Sequence, residues 1–160
     1  MIPSDKCYDI IKHHEYCELK AYKDIAGVWT IGWGTTRYEN GAPVKEGQII
    51  PQWKADDLLK YWVDDTAKSV QHLTINIRLL QHQFDALVSF AYNEGSGALS
   101  HSTLLDKIKL NPNDPYIRRA FEMWCKAHVN GELVTVPSLL ARRKSESWLY
   151  FHNELKYFHE

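Results

Sequence analysis

The sequence predicts an α+β fold that is mainly helical, with a small β-sheet N-terminal lobe and a helical C-terminal lobe joined by a long helix. Three observations predict it. Glycines and turn residues divide the segment from Leu19 to Ile49 into short β-rich pieces. After Pro51, a stripe of residues at helical spacing continues for about five turns, formed by Ala55, Leu58, Leu59, Trp62, Thr66, Val70 and Leu73. Further amphipathic stretches then continue to the C-terminus, so we expect a cleft between the two lobes.

The first element is a short helix that ends at an acidic residue. Ser4 or Asp5 can cap this helix, whose apolar residues recur at helical spacing, and Glu15 falls in its last turn. A strand is predicted further on, from Val28 to Gly34. The glycines beside Thr30 on one face of this strand leave room for another group to approach. Strict alternation sends Trp29, Ile31 and Trp33 to one face and Thr30, Gly32 and Gly34 to the other.

The helices of the second lobe are predicted from periodicity and from the turn residues between them, so the chain is expected to be helical from the long helix to its end. We treat the chain as one domain, 1–160, with an N-terminal lobe at about 12–60 and a connecting helix at about 51–73. The helical lobe covers about 74–160 and includes the N-terminal helix, 4–15. Its helices are predicted over Leu80 to Tyr92, Thr103 to Leu110, Pro115 to about Lys126, and Pro137 to Phe151, with N-E-G-S-G, N-P-N-D and N-G-E as the connections between them.

Composition and charge argue against several classes of protein. A formal net charge of −1 offers no basic surface for nucleic acid or for an anionic membrane. No apolar run is long enough to span a bilayer, and the N-terminus lacks the pattern of an export signal. Three cysteines are too few for a disulfide framework, so we expect reduced thiols. The eight histidines lack metal-ligand spacing, so we expect neither a metal site nor a cofactor.

Two carboxylates and a hydroxyl stand close together in the sequence, at Glu15, Asp24 and Thr30. Hydrolysis of an acetal requires one carboxyl group that is protonated and a second that is ionised. Glu15, at the negative end of a helix dipole, is the candidate acid. Asp24 begins the turn D-I-A-G, where backbone N–H groups stabilise a carboxylate, and is the candidate ionised partner. A surface glutamate and a turn aspartate are the structural alternatives.

Thr30 and Tyr22 complete the candidate site. The Thr30 hydroxyl can donate to Asp24 and accept a hydrogen bond from water, which would orient that water, although β-branched residues are also common in strands. Tyr22 lies two residues before Asp24 on the same strand face and is either a substrate contact or a packing residue. A thiol nucleophile at Cys17 is a minor hypothesis, because nothing indicates a Cys-His-Asn arrangement.

The spacing E-x8-D-x5-T, together with T-I-G-W-G-T-T, resembles the phage-type lysozymes, the muramidase endolysins of T-even and lambdoid phages. The likeness continues in T-R-Y-E-N-G-x-P-V-x-x-G, in S-F-A-Y-N-E-G-S-G-A-L, and in S-T-L-L with P-S-L-L-A-R-R. It covers roughly 8–152. This resemblance implies a lysozyme-like fold that hydrolyses the β-1,4 bond between N-acetylmuramic acid and N-acetylglucosamine in bacterial peptidoglycan.

The resemblance also implies roles for individual residues. Glu15 would be the proton donor, Asp24 the base that activates water, and Thr30 the residue that positions this water. Family members invert the anomeric centre, which requires room for a water between the carboxyl groups. Thr36 is suggested as a sugar contact. We expect a monomer that stays in the host cytoplasm until a separate holin-type membrane protein gives it access to peptidoglycan in the periplasm.

The chain departs from the family pattern at several positions. Tyr16 stands where a glycine usually follows the catalytic glutamate, and Thr35 stands where many relatives have histidine. Ser138 replaces the glycine of P-G-L-x-R-R. Some relatives pair the acidic glutamate with an arginine of the C-terminal helix. Arg142 or Arg143 could serve here, with a solvated helix face as the alternative.

Two other functions remain open at this point. A lytic transglycosylase of related fold uses one glutamate and forms an anhydro sugar without water, which would leave Asp24 and Thr30 without a role. A catalytically silent peptidoglycan-binding protein would keep the cleft and hold glycan without releasing reducing ends. Tyr16, a bulky group beside the candidate acid, keeps this second hypothesis open.

Overall fold

A computed structural model describes residues 1–159 and has the predicted α+β, mainly helical architecture. Two short antiparallel strand pairs accompany the helices. Among the residues described, no helix is both long enough and apolar enough to cross a bilayer. In chain order the elements are α1 (Asp5–Glu15), β1 (Glu18–Lys23), β2 (Trp29–Gly32), α2 (Gln52–Leu73), α3 (Gln81–Glu94), α4 (Ser96–Ser100), α5 (Thr103–Leu110), α6 (Ile117–Glu122), β3 (Lys126–Val129), β4 (Glu132–Thr135) and α7 (Pro137–His152).

Helix α2 connects two separate hydrophobic cores. Ala55 and Leu58, near its start, pack into a small core with residues of the β segment. Val63 and Val70, further along, belong to a larger core formed by the helices. The predicted stripe included Trp62 and Thr66, but these are only half-buried, and Val63 and Ala67 take the buried positions. A single helix that contributes to both cores fixes the two lobes relative to each other.

The β segment has the predicted antiparallel pairing. Strand β1 pairs with β2 in a register that sets Tyr22 opposite Thr30, with an irregularity between Glu18 and Tyr22. Isolated bridges, such as the one between Lys20 and Ile49, extend this small sheet. The three apolar residues predicted to share a face, Trp29, Ile31 and Trp33, all pack into the small core.

The expectation that the chain is helical from α2 to its end is wrong in one place. Residues predicted as the end of a helix and a following turn form the hairpin β3–β4 instead, and α6 ends at Glu122 rather than near Lys126. Asn130 and Gly131 both have positive φ, 52° and 83°, as a tight two-residue hairpin turn requires. The Asn-Gly pair was the sequence signal for this hairpin. A short helix, α4, also occupies part of N-E-G-S-G, which was expected to be a connection.

Helix α3 lies at the centre of the helical lobe. It packs against α1, α2 and α7, and it is buried from Gln83 to Ala91. Helix α1 is held against this lobe by Cys7, Ile10 and Ile11, whose side chains are fully buried in the larger core. The C-terminal end of α1 therefore faces the β segment from the helical lobe.

Candidate active site

Glu15 is the last residue of α1, as the sequence predicted. The burial of the apolar face of α1 fixes the position of this helix end against the helical lobe. The Glu15 side chain is 16% exposed, so its carboxylate is accessible from one side only. Its Oε1 atom accepts a hydrogen bond from Nη1 of Arg142, which confirms Arg142 rather than Arg143 as the arginine that pairs with Glu15.

Gly34 provides the space for the Glu15 carboxylate. It has a φ of +81°, which side chains rarely adopt, and a Cβ placed on it would overlap the carboxylate and lie 2.6 Å from Cδ of Glu15. Gly32, at the end of β2, similarly lets the strand approach Ala55 of α2. The room predicted beside Thr30 thus exists, and other parts of the protein occupy it.

We expect Gly34→Ala to lower turnover by about 10²-fold, because its methyl group would displace the Glu15 carboxylate by roughly an ångström. The measurement is the initial rate of peptidoglycan hydrolysis. Gly41→Ala is the matched control, since Gly41 has a similar φ of +85° but nothing within 4 Å of the added Cβ. If Gly34→Ala lost no more activity than Gly41→Ala, the close approach of Gly34 would be irrelevant to the site.

Arg142 lies in a buried network of alternating charges. Besides its hydrogen bond to Glu15, Arg142 donates from Nε to Glu146 at 3.2 Å and from Nη2 to the backbone oxygen of Ser89 at 3.1 Å. Arg143 continues the network, with 2.8 Å from its Nη1 to Glu94 and 3.1 Å from its Nη2 to Glu146. Arg142, Arg143 and Glu146 are buried, so their charges are compensated by one another rather than by water.

The pKa values in this network follow from burial and from neighbouring charges. Burial lowers the pKa of Arg142, but the carboxylates of Glu15 and Glu146 outweigh it and the net change is upward. Burial also lowers the pKa of Arg143, with only partial compensation from Glu146. Burial raises the pKa of Glu94 despite the opposing charge of Arg143. Arg142 is therefore a permanently charged partner for Glu15.

Asp24 lies in the predicted turn after β1. Its Oδ1 atom accepts hydrogen bonds from the backbone N–H groups of Ala26 and Val28, both at 2.9 Å. Gly27, at a φ of +81°, completes the turn and donates to the backbone oxygen of Asp24. No residue in 1–159 donates to Oδ2 of Asp24. The backbone therefore holds one carboxylate oxygen while the other remains available to a ligand.

Thr30 does not make the contact expected of it. Its side chain is buried, with 3% of the residue exposed, and its hydroxyl donates to the backbone oxygen of Val28 at 2.9 Å instead of to Asp24. The reason is local, because the Val28 carbonyl lies two residues before Thr30, just ahead of β2, and also accepts a hydrogen bond from the N–H of Asp24. The Thr30 hydroxyl can therefore act toward a water only as an acceptor.

A cavity of about 730 Å³ opens between the end of α1, the Asp24 turn and the start of α7. Glu15, Asp24 and Tyr22 all line it, so the structure brings together three of the predicted site residues. Tyr22 is half-buried, and burial, followed by the charges of Glu15 and Asp24, raises its pKa. The C-terminal segment closes one side of the cavity. There the ring of Tyr157 stacks on the ring of His13, with 3.6 Å between the ring centroids.

Two residues that line this cavity each carry a buried polar atom with no hydrogen-bond partner within residues 1–159. These atoms are Nε2 of His14 and Oδ1 of Asn93. Burial, together with the charge of Arg142, lowers the pKa of His14 to about 3, so its ring is neutral at neutral pH.

Thr36 lies apart from Glu15 and Asp24. It is exposed and lines a smaller cavity of about 260 Å³ between the β segment, α2 and α3, on the other side of Gly34. Trp62 and Tyr92 line the same cavity, and the hydroxyl of Tyr92 donates to the backbone oxygen of Trp33 at 2.7 Å. Gly34 lines the smaller cavity and contacts Glu15, which lines the larger one.

Several residues of the site were missed by sequence reasoning. Glu146 and Asn93 are the most important, with Ser89 in support. In A-R-R-K-S-E, Glu146 lies four residues after Arg142 and three after Arg143, and both spacings place ion pairs on one helix face. Asn93 belongs to S-F-A-Y-N-E-G, and nothing in its local pattern indicates that its side chain faces the cleft.

In the part of the chain described, no cluster of three or more His, Cys, Asp or Glu side chains could hold a metal ion.

A two-lobed fold with a pair of separately held carboxylates in its cleft is typical of a lysozyme-type glycoside hydrolase. A model of the Phage lysozyme family matches residues 12–146. The chain is 37% identical over 150 residues to the endolysin of Acyrthosiphon pisum secondary endosymbiont phage 1, covering 92% of this chain and 96% of that protein.

Solved structures give the same result. The endolysin from Escherichia coli O157:H7 phage FAHEc1 superimposes with a TM-score of 0.85 at 37% identity, covering 98% of this chain and 97% of that one. The muramidase domain of SpmX from Asticaccaulis excentricus has a TM-score of 0.76 at 30% identity, covering 92% and 95%. The chain belongs to the phage lysozyme family. It is a lysozyme-type glycoside hydrolase, and these similarities favour neither the transglycosylase nor the silent binding protein.

Proposed function

We propose that this muramidase cleaves peptidoglycan with Glu15 as general acid and Asp24 as general base, by an inverting single displacement. The observation that supports this assignment is that both carboxylates line one cavity and are held differently. A buried arginine holds Oε1 of Glu15, whereas backbone N–H groups hold Oδ1 of Asp24. In each case the second oxygen receives no hydrogen bond from residues 1–159 and can face the substrate.

The proton would leave Oε2 of Glu15 for the glycosidic oxygen as the bond from that oxygen to the anomeric carbon breaks. A water would attack the anomeric carbon from the opposite face and pass a proton to Oδ2 of Asp24. Such a route needs carboxyl groups far enough apart to admit a water, roughly 6.5–9.5 Å. Consistent with this, Glu15 and Asp24 form no hydrogen bond with each other and share no donor.

We propose a narrower role for Thr30 than a bridge between Asp24 and water. The Thr30 hydroxyl donates a hydrogen bond to the backbone oxygen of Val28. Its oxygen would therefore accept a hydrogen bond from the attacking water and direct a lone pair of that water toward the anomeric carbon. Tyr22, which lines the same cavity as the two carboxylates, and Thr36, in the smaller cavity, would contact sugar on either side of the cleaved bond.

Proton NMR of the first product tests the inverting mechanism. The reducing N-acetylmuramic acid released from a β-linked substrate should appear first as the α-anomer and then equilibrate. Initial release of the β-anomer would contradict inversion and would require a covalent intermediate or attack from the same face.

We expect Asp24→Asn to lower turnover by about 10²-fold or more without unfolding the turn. The amide oxygen of asparagine can accept both backbone hydrogen bonds that Oδ1 of Asp24 receives, but an amide cannot take a proton from water. Turnover and thermal melting should be measured on the same preparation, with the exposed Asp57→Asn as control. Full activity in a folded Asp24→Asn variant would remove Asp24 from the mechanism.

We also propose that residues 1–160 act as one monomeric unit, with an N-terminal lobe at about 12–60, the connecting helix at about 51–73 and a helical lobe that includes 4–15. Because peptidoglycan lies outside the cytoplasmic membrane, an enzyme made in the host cytoplasm would depend on a separate holin-type membrane protein for access. Host cells that express the enzyme should lyse promptly only when a holin is expressed with it. Lysis at the same rate without a holin would contradict this dependence.

A further inference from the structure

Tyr16, the residue directly after Glu15, has a strained backbone. Its φ of 55° and ψ of 160° fall in a region that is essentially restricted to glycine. Its N–H group donates to the backbone oxygen of Lys12 at 3.2 Å, so Tyr16 closes α1 and turns the chain toward β1. Glycine would take this position without strain, because the strain comes from the Cβ atom.

The surroundings of Tyr16 offer little compensation for this strain. The residue is 68% exposed, so packing of its ring returns little stabilisation. Its hydroxyl makes no hydrogen bond with residues 1–159, and its ring stacks on none of the aromatic rings that the structure describes. A large side chain in a glycine conformation that adds little to the core points to a role outside folding.

The ring of Tyr16 is placed where a substrate would meet it. Tyr16 lines the 730 Å³ cavity together with Glu15 and Asp24, and it follows the proposed proton donor directly in the chain. Tyr22 and Phe158 also line this cavity, so several aromatic groups share its wall with the two carboxylates. The C–H groups on one face of a pyranose ring are apolar and weakly positive, and they stack on the negative face of an aromatic ring.

We propose that Tyr16 is a sugar-stacking residue that contributes to glycan binding beside Glu15, and that its strained backbone is retained for this purpose. This proposal rests on the proposed function, since it takes the cavity of Glu15 and Asp24 to hold the glycan. Tyr16 is then a substrate-binding determinant for one pyranose next to the cleaved bond, and its contribution comes from the ring rather than from the hydroxyl.

Binding of a defined oligosaccharide of alternating N-acetylmuramic acid and N-acetylglucosamine tests the proposal by calorimetry. Glu15→Gln serves as the background so that the ligand stays intact. Adding Tyr16→Phe should leave Kd unchanged, whereas adding Tyr16→Ala or Tyr16→Gly should raise it about tenfold, because the stacked apolar surface is lost. Trp53→Ala is the matched control, since Trp53 is 65% exposed but lies outside the cavity, and it should not change Kd.

Thermal melting separates binding from folding. Tyr16→Gly should raise Tm by about 2–4 °C, because the strain is relieved, while it weakens glycan binding. The proposal would be overturned if Kd in the Glu15→Gln background stayed the same when Tyr16→Ala or Tyr16→Gly was added. It would also be overturned if Tyr16→Gly lowered both Tm and the affinity for glycan. Turnover by Glu15→Gln itself would contradict the catalytic assignment instead, and the same comparison of Kd values in the Asp24→Asn background would then decide the role of Tyr16.

Discussion

Glu15→Gln is expected to lower the rate of peptidoglycan hydrolysis by about 10²–10⁴-fold, the contribution of a general acid. Glutamine has the shape of glutamate, and its carbonyl oxygen can accept the hydrogen bond that Arg142 donates, but its amide cannot supply a proton to the leaving oxygen. Arg142 keeps Glu146 as a charged partner in this variant, so the buried cation is not left alone. Folding should therefore persist while turnover is lost.

The measurement is the rate at which purified peptidoglycan releases reducing ends, with circular dichroism and thermal melting on the same protein. Glu18→Gln is a matched control, because Glu18 is exposed at the start of β1 and lies outside the cavity. Turnover by a folded Glu15→Gln variant at the rate of the parent would show that another group donates the proton.

Arg142→Met is expected to destabilise the protein by about 3–5 kcal/mol, the cost of removing one partner from a buried ion pair. Methionine fills part of the arginine volume, but it leaves Glu15 without its cation and Glu146 with Arg143 in place of two arginines. The backbone oxygen of Ser89 loses the donor that Arg142 provides. The change also frees the Glu15 side chain to move, so activity should fall with stability.

Urea unfolding at neutral pH measures this loss, with Lys144→Met on the same helix as control. Lys144 is only partly buried, and its substitution should cost less than about 1 kcal/mol. Equal stabilities of the two variants would mean that the charge network adds nothing to folding. Arg142→Lys should recover only part of the loss, because a lysine cannot contact Glu15, Glu146 and Ser89 from one planar group.

Features that depend on local patterns were predicted well from the sequence. The end of α1 at Glu15 follows from the spacing of its apolar residues, and the turn at Asp24 follows from D-I-A-G with a glycine at positive φ. The extent of α2, predicted at about 51–73, differs from Gln52–Leu73 by one residue at its start, where Pro51 caps the helix instead of beginning it. Each of these features is decided by residues within a few positions of each other.

Features that depend on contacts between distant segments were harder to predict. The pair formed by Glu15 and Arg142 joins residues 127 positions apart, and the sequence alone left Arg143 as an equal candidate. Periodicity on α7 cannot say which of two adjacent arginines faces α1. The sequence predicts that the Thr30 hydroxyl donates to Asp24, but it donates to the Val28 carbonyl just ahead of β2 instead.

The hairpin β3–β4 was missed for a different reason. Its strands are four residues long, and β4 is exposed along its whole length, so no apolar alternation marks it. The Asn130-Gly131 pair was visible but was interpreted as a connection between helices. Similarly, the bulk of Tyr16 was evident from the sequence, whereas its glycine-like backbone required the structure.

Hydrolysis through Glu15 is best tested by mass spectrometry of purified peptidoglycan digested in parallel with the parent protein and with Glu15→Gln. We expect hydrated fragments with reducing N-acetylmuramic acid ends from the parent protein and none above background from the variant. Fragments with anhydro-muramic acid ends would contradict hydrolysis by a water held between Glu15 and Asp24, and equal amounts of hydrated fragments from both proteins would contradict the role of Glu15.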